Sequence, residues 1–119
     1  MGDFKRLVAW QEGHAFALAI HRAFAGRRAN ALTGGRAQII RAVNSIPDNL
    51  AEGFAKRSRR ELARYAEMAY ASAKEDENQL IKARDLEILT PAVAAELLRK
   101  GGRVTALCFA LSRLPPGAT

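Results

Sequence analysis

The densest run of chemically active side chains in the sequence is Lys56-Arg57-Ser58-Arg59-Arg60, with Arg64 one helical turn further on. Guanidinium groups bind phosphate oxygens in a bidentate fork, and the free N–H groups at a helix start also attract anions. Ser58 and Glu61 match a capping box, so a helix begins at this run. Cations at a helix N-terminus oppose its dipole, and tolerating them there points to an anionic partner. Lys56, Arg57, Arg59 and Arg60 are therefore the first candidates for phosphate contact, with Arg64 and Arg36 in support. The alternative is a solvated corner whose charges pair with Glu52, Glu61 or a neighbouring subunit. Arg27 and Arg28 lie in a connection at the other end of an up-down bundle and are weaker candidates. Trp10, Phe54 and Tyr65 have rings on which bases could stack, but at apolar-stripe positions such rings more often serve a core.

Other reactive residues form no recognisable constellation. His14 and His21 are seven apart, and neither has a Glu three residues before it, so the di-metal bundle pattern is absent. Cys108 sits on an apolar stripe, where a lone thiol acts as a small hydrophobe. Glu75, Asp76 and Glu77 are successive and cannot share one helix face. Glu75, near Ala73, is expected to face inward and to pair with Arg41 of a neighbouring helix; an acid/base pair with Glu52 is the weaker alternative. Phosphate loops, nucleophile elbows and dinucleotide turns are missing. No enzyme, cofactor or metal is expected.

The charge balance agrees with the basic run. The 119 residues carry 19 Lys and Arg against 12 Asp and Glu, a formal net charge of +7. Residues 1–64 hold 12 basic and 5 acidic side chains, and residues 65–119 hold 7 of each, so the whole excess lies in the first half. Such asymmetry speaks to partners, here a polyanion such as nucleic acid or an anionic membrane surface. A five-residue corner, unlike a basic amphipathic helix face, favours phosphate contacts over lying on a membrane. One cysteine excludes an intramolecular disulfide framework, and no apolar run approaches a membrane span. A cytoplasmic location is expected, since Met1 to Trp10 lacks a signal-peptide apolar stretch.

Four helices must position these residues. The first spans 8–25, with Trp10, Gly13, Ala17, Ile20 and Phe24 on one face and Phe16 beside it. The second spans 36–54 with a stripe of Ile39, Val43, Ile46, Leu50 and Phe54. Pro47 inside it removes a backbone donor and predicts a kink, and Gly53 is placed to end the helix. The third spans 58–84, with small inner residues, Leu62, Ala66, Ala69, Ala73 and Leu80, that let a neighbour approach closely. Thr90 caps the fourth, 91–113, which carries Leu97, Gly101, Val104, Cys108 and Leu111. Gly101-Gly102 weakens its middle unless close packing or a bend requires the pair. The pattern predicts an all-α fold, an antiparallel up-down four-helix bundle in one domain, residues 1–119.

Residues Gln38 to Phe54, Gln-Ile-Ile-Arg-Ala-Val-Asn-Ser-Ile-Pro-Asp-Asn-Leu-Ala-Glu-Gly-Phe, closely resemble the signature of the four-helix-bundle proteins encoded in 23S rRNA intervening sequences. Leu7 to Gln11 resembles that family's N-terminal element, and Ser72, Glu75, Glu77, Gln79 and Leu80 its third-helix element. The resemblance spans about residues 4–112. It implies homopentamers and no established enzymatic activity. The family is similar to accessory proteins of diversity-generating retroelements, basic pentamers that bind nucleic acid and a reverse transcriptase. The chain departs from the pattern at the first connection, which carries Arg27, Arg28 and extra glycines, and at Ile40, where a second Arg is usual.

Read physically, the motif is structural first. Arg41, Ser45, Pro47, Asn49, Glu52, Gly53 and Glu75 form this set. Ser45 and Asn49 can bond near Pro47, and Glu52 can pair with Lys56. A subunit contact or a ligand contact remains open for the set. The expected function is a non-enzymatic homo-oligomer, a pentamer by resemblance, that binds RNA or DNA through phosphates. The alternative is a scaffold for a protein partner, an acidic one by charge.

Overall fold

A computed structural model describes residues 2–25 and 35–116. Arg27, Arg28 and Gly34 lie outside the described residues. A short 3-10 turn, Phe4–Arg6, precedes four helices: α1 Val8–Ala23, α2 Gly35–Ala55, α3 Arg59–Asp85 and α4 Pro91–Ser112. Helix α1 packs on α2 and α4, and α3 packs on the same two, so the helices form a square with no diagonal pair in contact. The bundle measures 51 × 22 × 20 Å. Among the described residues there is no strand, and no helix is long and apolar enough to cross a membrane.

The stripes read from the sequence become the core. Phe16, Ile20 and Phe24 of α1, Ile39, Val43, Ile46 and Leu50 of α2, Leu80 of α3, and Val104 and Cys108 of α4 are all essentially inaccessible. Each large apolar side chain so buried contributes roughly 1.5–3 kcal/mol. Trp10, Phe54 and Leu111 pack at the margin and stay half-buried. The small residues Ala66, Ala69 and Ala73 of α3 are buried and leave room for α2 and α4.

Gly53 departs from its expected role, and Gly101 takes the close-packing alternative. Gly53 does not end α2, which runs two residues further to Ala55. It faces α3, where an added Cβ would meet the Tyr65 Cβ at 2.6 Å. The stop falls at Arg57, whose φ of 61° turns the chain in the left-handed region. Gly101 lies under the Phe16 ring, whose Cζ would be 2.9 Å from an added Cβ, while Gly102 faces open space. Close packing therefore accounts for Gly101. Helix α2 carries Pro47 and continues as α-helix through it.

Candidate nucleic-acid interface

The α2–α3 corner is built by three local signals. Lys56 N–H donates to the Gly53 carbonyl and Arg57 N–H to that of Phe54, closing α2. The left-handed Arg57 reverses the chain. Ser58 Oγ then accepts the Glu61 N–H at 3.3 Å and starts α3. Only half of the capping box forms, because the Glu61 carboxylate turns to Arg64 at 3.1 Å instead of reaching back to Ser58. That bond, with the positive charges of Lys56 and Arg60 nearby, holds the Glu61 carboxyl below its usual range.

Lys56, Arg57, Arg59, Arg60 and Arg64 are all exposed at this corner. Among the described residues, Arg57, Arg59 and Arg60 make no ion pair. Arg64, already paired with Glu61, shares Tyr65 with Lys56: the charged heads of Lys56 and Arg64 lie 5.8 Å and 5.1 Å from its ring centroid. The Tyr65 hydroxyl donates to Glu52 at 3.2 Å, so Glu52 engages Tyr65 and not, as expected, Lys56. Three unpaired guanidiniums thus project beside two cations already ordered on one aromatic ring.

Arg36 does not join them. It sits in the first turn of α2, about 30 Å along the helix axis from the corner. Lys5 and Arg6 do lie at the corner's end. Gly13 faces Ile46, Pro47 and Leu50, so the chain seven residues before it runs level with the last turn of α2, against which the 3-10 turn packs. The N-terminal charge excess contained both residues; only the antiparallel pairing assigns them to this end.

Of the remaining motif residues, Ser45 reaches the α2–α3 seam and Pro47 faces Gly13 of α1. Ser45 Oγ donates to the Ala42 carbonyl at 2.9 Å, and the Ser45 and Ser72 hydroxyls are hydrogen-bonded to each other. Asn49 Nδ2 donates to the Ser45 carbonyl at 2.8 Å. Arg41 is exposed, and so is Glu75, contrary to its expected inward position, so the Glu75–Arg41 pair does not form. Asp76 is the inward acid. It is wholly buried, and neither carboxylate oxygen has a hydrogen-bond partner; Gln79 Oε1 beside it also lacks one. Burial, and then repulsion from Glu75, pushes the Asp76 carboxyl up to about 8. The signal was present: 62, 66, 69, 73, 76, 80 and 83 follow 4-3-4-3 spacing, and Asp76 fills the gap between Ala73 and Leu80.

The other reactive residues serve packing. His14 stacks on Trp10 with ring centroids 4.8 Å apart. His21 Nε2 is 2.9 Å from Asn44 Oδ1 and ties α1 to α2. Burial pushes the Cys108 thiol up to about 11. Among the described residues no group of His, Cys, Asp and Glu is arranged to hold a metal.

No curated protein sequence matches the chain. The structure is similar to a crystal structure of a protein of unknown function from the S23 ribosomal protein family of Bacteroides thetaiotaomicron, at 18% identity and a TM-score of 0.77. That match covers 89% of this chain and 99% of the other. The family model of the 23S rRNA-intervening sequence protein matches residues 5–109. With that match spanning all four helices and the Ser45–Gly53 motif, the chain belongs to the 23S rRNA-intervening sequence protein family.

Proposed function

We propose that this bundle is a non-enzymatic, homo-oligomeric nucleic-acid-binding protein that holds RNA or DNA through its phosphates. The observation that carries the reading is the corner itself, where Arg57, Arg59 and Arg60 are exposed and unpaired beside Lys56 and Arg64. Unpaired guanidiniums on a solvated corner gain a strong acceptor when a phosphate arrives and lose no internal partner. Arg6 extends the positive field at the same end, where Lys5 is paired with Asp3 at 3.5 Å. A ring of five copies, the stoichiometry the resemblance implies, would present five such corners and turn weak single contacts into avid ones.

The test is a filter-binding titration of RNA, single-stranded DNA and duplex DNA against the wild type and an Arg57→Glu, Arg59→Glu, Arg60→Glu variant, beside a mass measurement in solution. The variant is expected to fold and assemble normally and to lose binding. Undiminished binding by the variant would refute the site. If the wild type binds none of the three but retains a stoichiometric protein from nuclease-treated lysate, the scaffold reading replaces this one.

A further inference from the structure

A cleft of about 600 Å³ opens between the outer faces of α3 and α4, a size typical of small-ligand sites. Its floor is aromatic. Tyr70 and Phe109 pack with ring centroids 5.6 Å apart, and Phe109 is 48% exposed, an unusual cost for a ring that could have been buried. Arg113 lies over the Phe109 ring with its guanidinium carbon 5.6 Å from the centroid. Lys74 stands at the wall, its ammonium 2.8 Å from Glu77, and Glu67 supplies a carboxylate acceptor.

The cleft is continuous with the basic corner. Arg60, Arg64, Glu67, Ala71 and Lys74 follow 4-3-4-3 spacing and are all exposed, so they form one outer stripe along α3. The stripe starts in the corner with Arg60 and enters the cleft at Glu67, Ala71 and Lys74. From Arg60 to Ala71 is about 16 Å along the helix. A strand whose phosphates rest on the corner would run along Arg60 and Arg64 and bring a neighbouring base over the cleft.

We propose that this cleft is a base-stacking subsite for single-stranded nucleic acid, in which an unpaired base lies on Phe109 and Tyr70 while its backbone follows the Arg60–Arg64 stripe to the corner. The proposal rests on the nucleic-acid reading above and adds to it a preference for single strands. Phosphate contact alone does not distinguish single strands from duplexes, whereas an aromatic floor is reached only by a base that is free of its own stack. The unpaired cations beside the cleft favour this occupant. Arg113 at its rim and Arg60 at the head of the stripe make no ion pair among the described residues and can take phosphate, whereas Lys74 is held by Glu77 and Arg64 by Glu61.

The test uses fluorescence anisotropy with three probes: a short single-stranded adenosine oligonucleotide, the same strand paired into duplex, and inorganic polyphosphate. Phe109→Ala is expected to weaken the single strand by about tenfold or more and to leave duplex and polyphosphate unchanged. Phe109→Trp is expected to restore the single strand and to report it by quenching of the new indole. Three results overturn the subsite: Phe109→Ala binding the single strand like the wild type, losing all three probes in equal measure, or changing mass in solution. The last would mean that a second copy covers the cleft. A wild type that binds none of the probes overturns the corner reading as well. Normal polyphosphate binding with a strand affinity indifferent to Phe109 overturns the subsite alone.

Discussion

Gly53 of α2 and Tyr65 of α3 meet so closely that a methyl group on Gly53 would lie 2.6 Å from the Tyr65 Cβ and 3.4 Å from the Leu62 Cα. The contact is with the rigid base of the side chain and with backbone, so neither can swing aside. The same Tyr65 gathers Lys56 and Arg64 and donates to Glu52. The glycine of the sequence motif therefore sets the helix spacing on which the basic corner is built. This links packing directly to the site.

Gly53→Ala is expected to destabilise the fold by roughly 1–3 kcal/mol, because overpacking outweighs the helix propensity gained. Gly102→Ala adds the same methyl group in a helix interior where nothing lies within 4 Å. It is expected to stabilise by about 0.5–1 kcal/mol. Thermal melts followed by circular dichroism check the pair. Equal shifts for both variants would show that propensity, and not the α2–α3 approach, governs position 53.

Cys108 is expected to resist thiol reagents in the native protein. It is fully buried against the core, and burial pushes its thiol up to about 11, so little thiolate forms at neutral pH. Labelling with a chromogenic disulfide reagent should proceed at the rate of unfolding and become fast in denaturant. Rapid stoichiometric labelling of the folded chain would contradict this placement.

Most of the fold is legible in the sequence because 3-4 spacing of large apolar residues leaves few alternatives. Ile39, Val43, Ile46 and Leu50 could hardly face anywhere but inward. The corner was equally readable, since charge density and the Ser58 cap are local features. What escaped was set by pairing between helices. Gly53 looks like a helix stop until Tyr65 is placed beside it. Glu52 looks like a partner for Lys56 until the Tyr65 hydroxyl arrives from α3. Arg36 opens the same helix that ends at the corner, so the length of α2 carries it to the far end, and Lys5 and Arg6 become neighbours only when α1 and α2 lie antiparallel. Asp76 was hidden for a different reason. Its spacing put it on the core stripe, but an unpaired acid there is costly enough that Glu75 was the more natural reading.

The salt dependence of binding is expected to count the corner arginines. For single strands, the logarithm of affinity falls with the logarithm of salt by about 0.7 for each phosphate neutralised. Replacing Arg57, Arg59 and Arg60 by Gln removes three unpaired cations without reversing charge. The slope is then expected to shrink by about 2 for each engaged corner. Affinities measured from low to moderate salt test this. A slope unchanged in the variant would place the phosphates elsewhere.

Asp76 is expected to make the protein more stable in mild acid than in mild base. Its carboxyl sits at about 8 in the folded chain against 3.8 for a solvated aspartate, so the folded state binds this proton more tightly. The resulting stability is fully present below about pH 4 and is lost as pH rises through about 8. Each unit of separation corresponds to about 1.4 kcal/mol, so the loss across this window amounts to a few kcal/mol. Asp76→Asn keeps the shape and removes the titration. Compared with the wild type it should gain stability steadily as pH is raised from about 5 to about 8.5, with the difference smallest at the acid end. Denaturant unfolding at several pH values measures this difference directly and cancels the opposing acid titration of salt-bridged carboxylates such as Glu61 and Glu96. A difference between the two proteins that stays constant with pH would mean that Asp76 is ionised within the fold, with a partner for its charge.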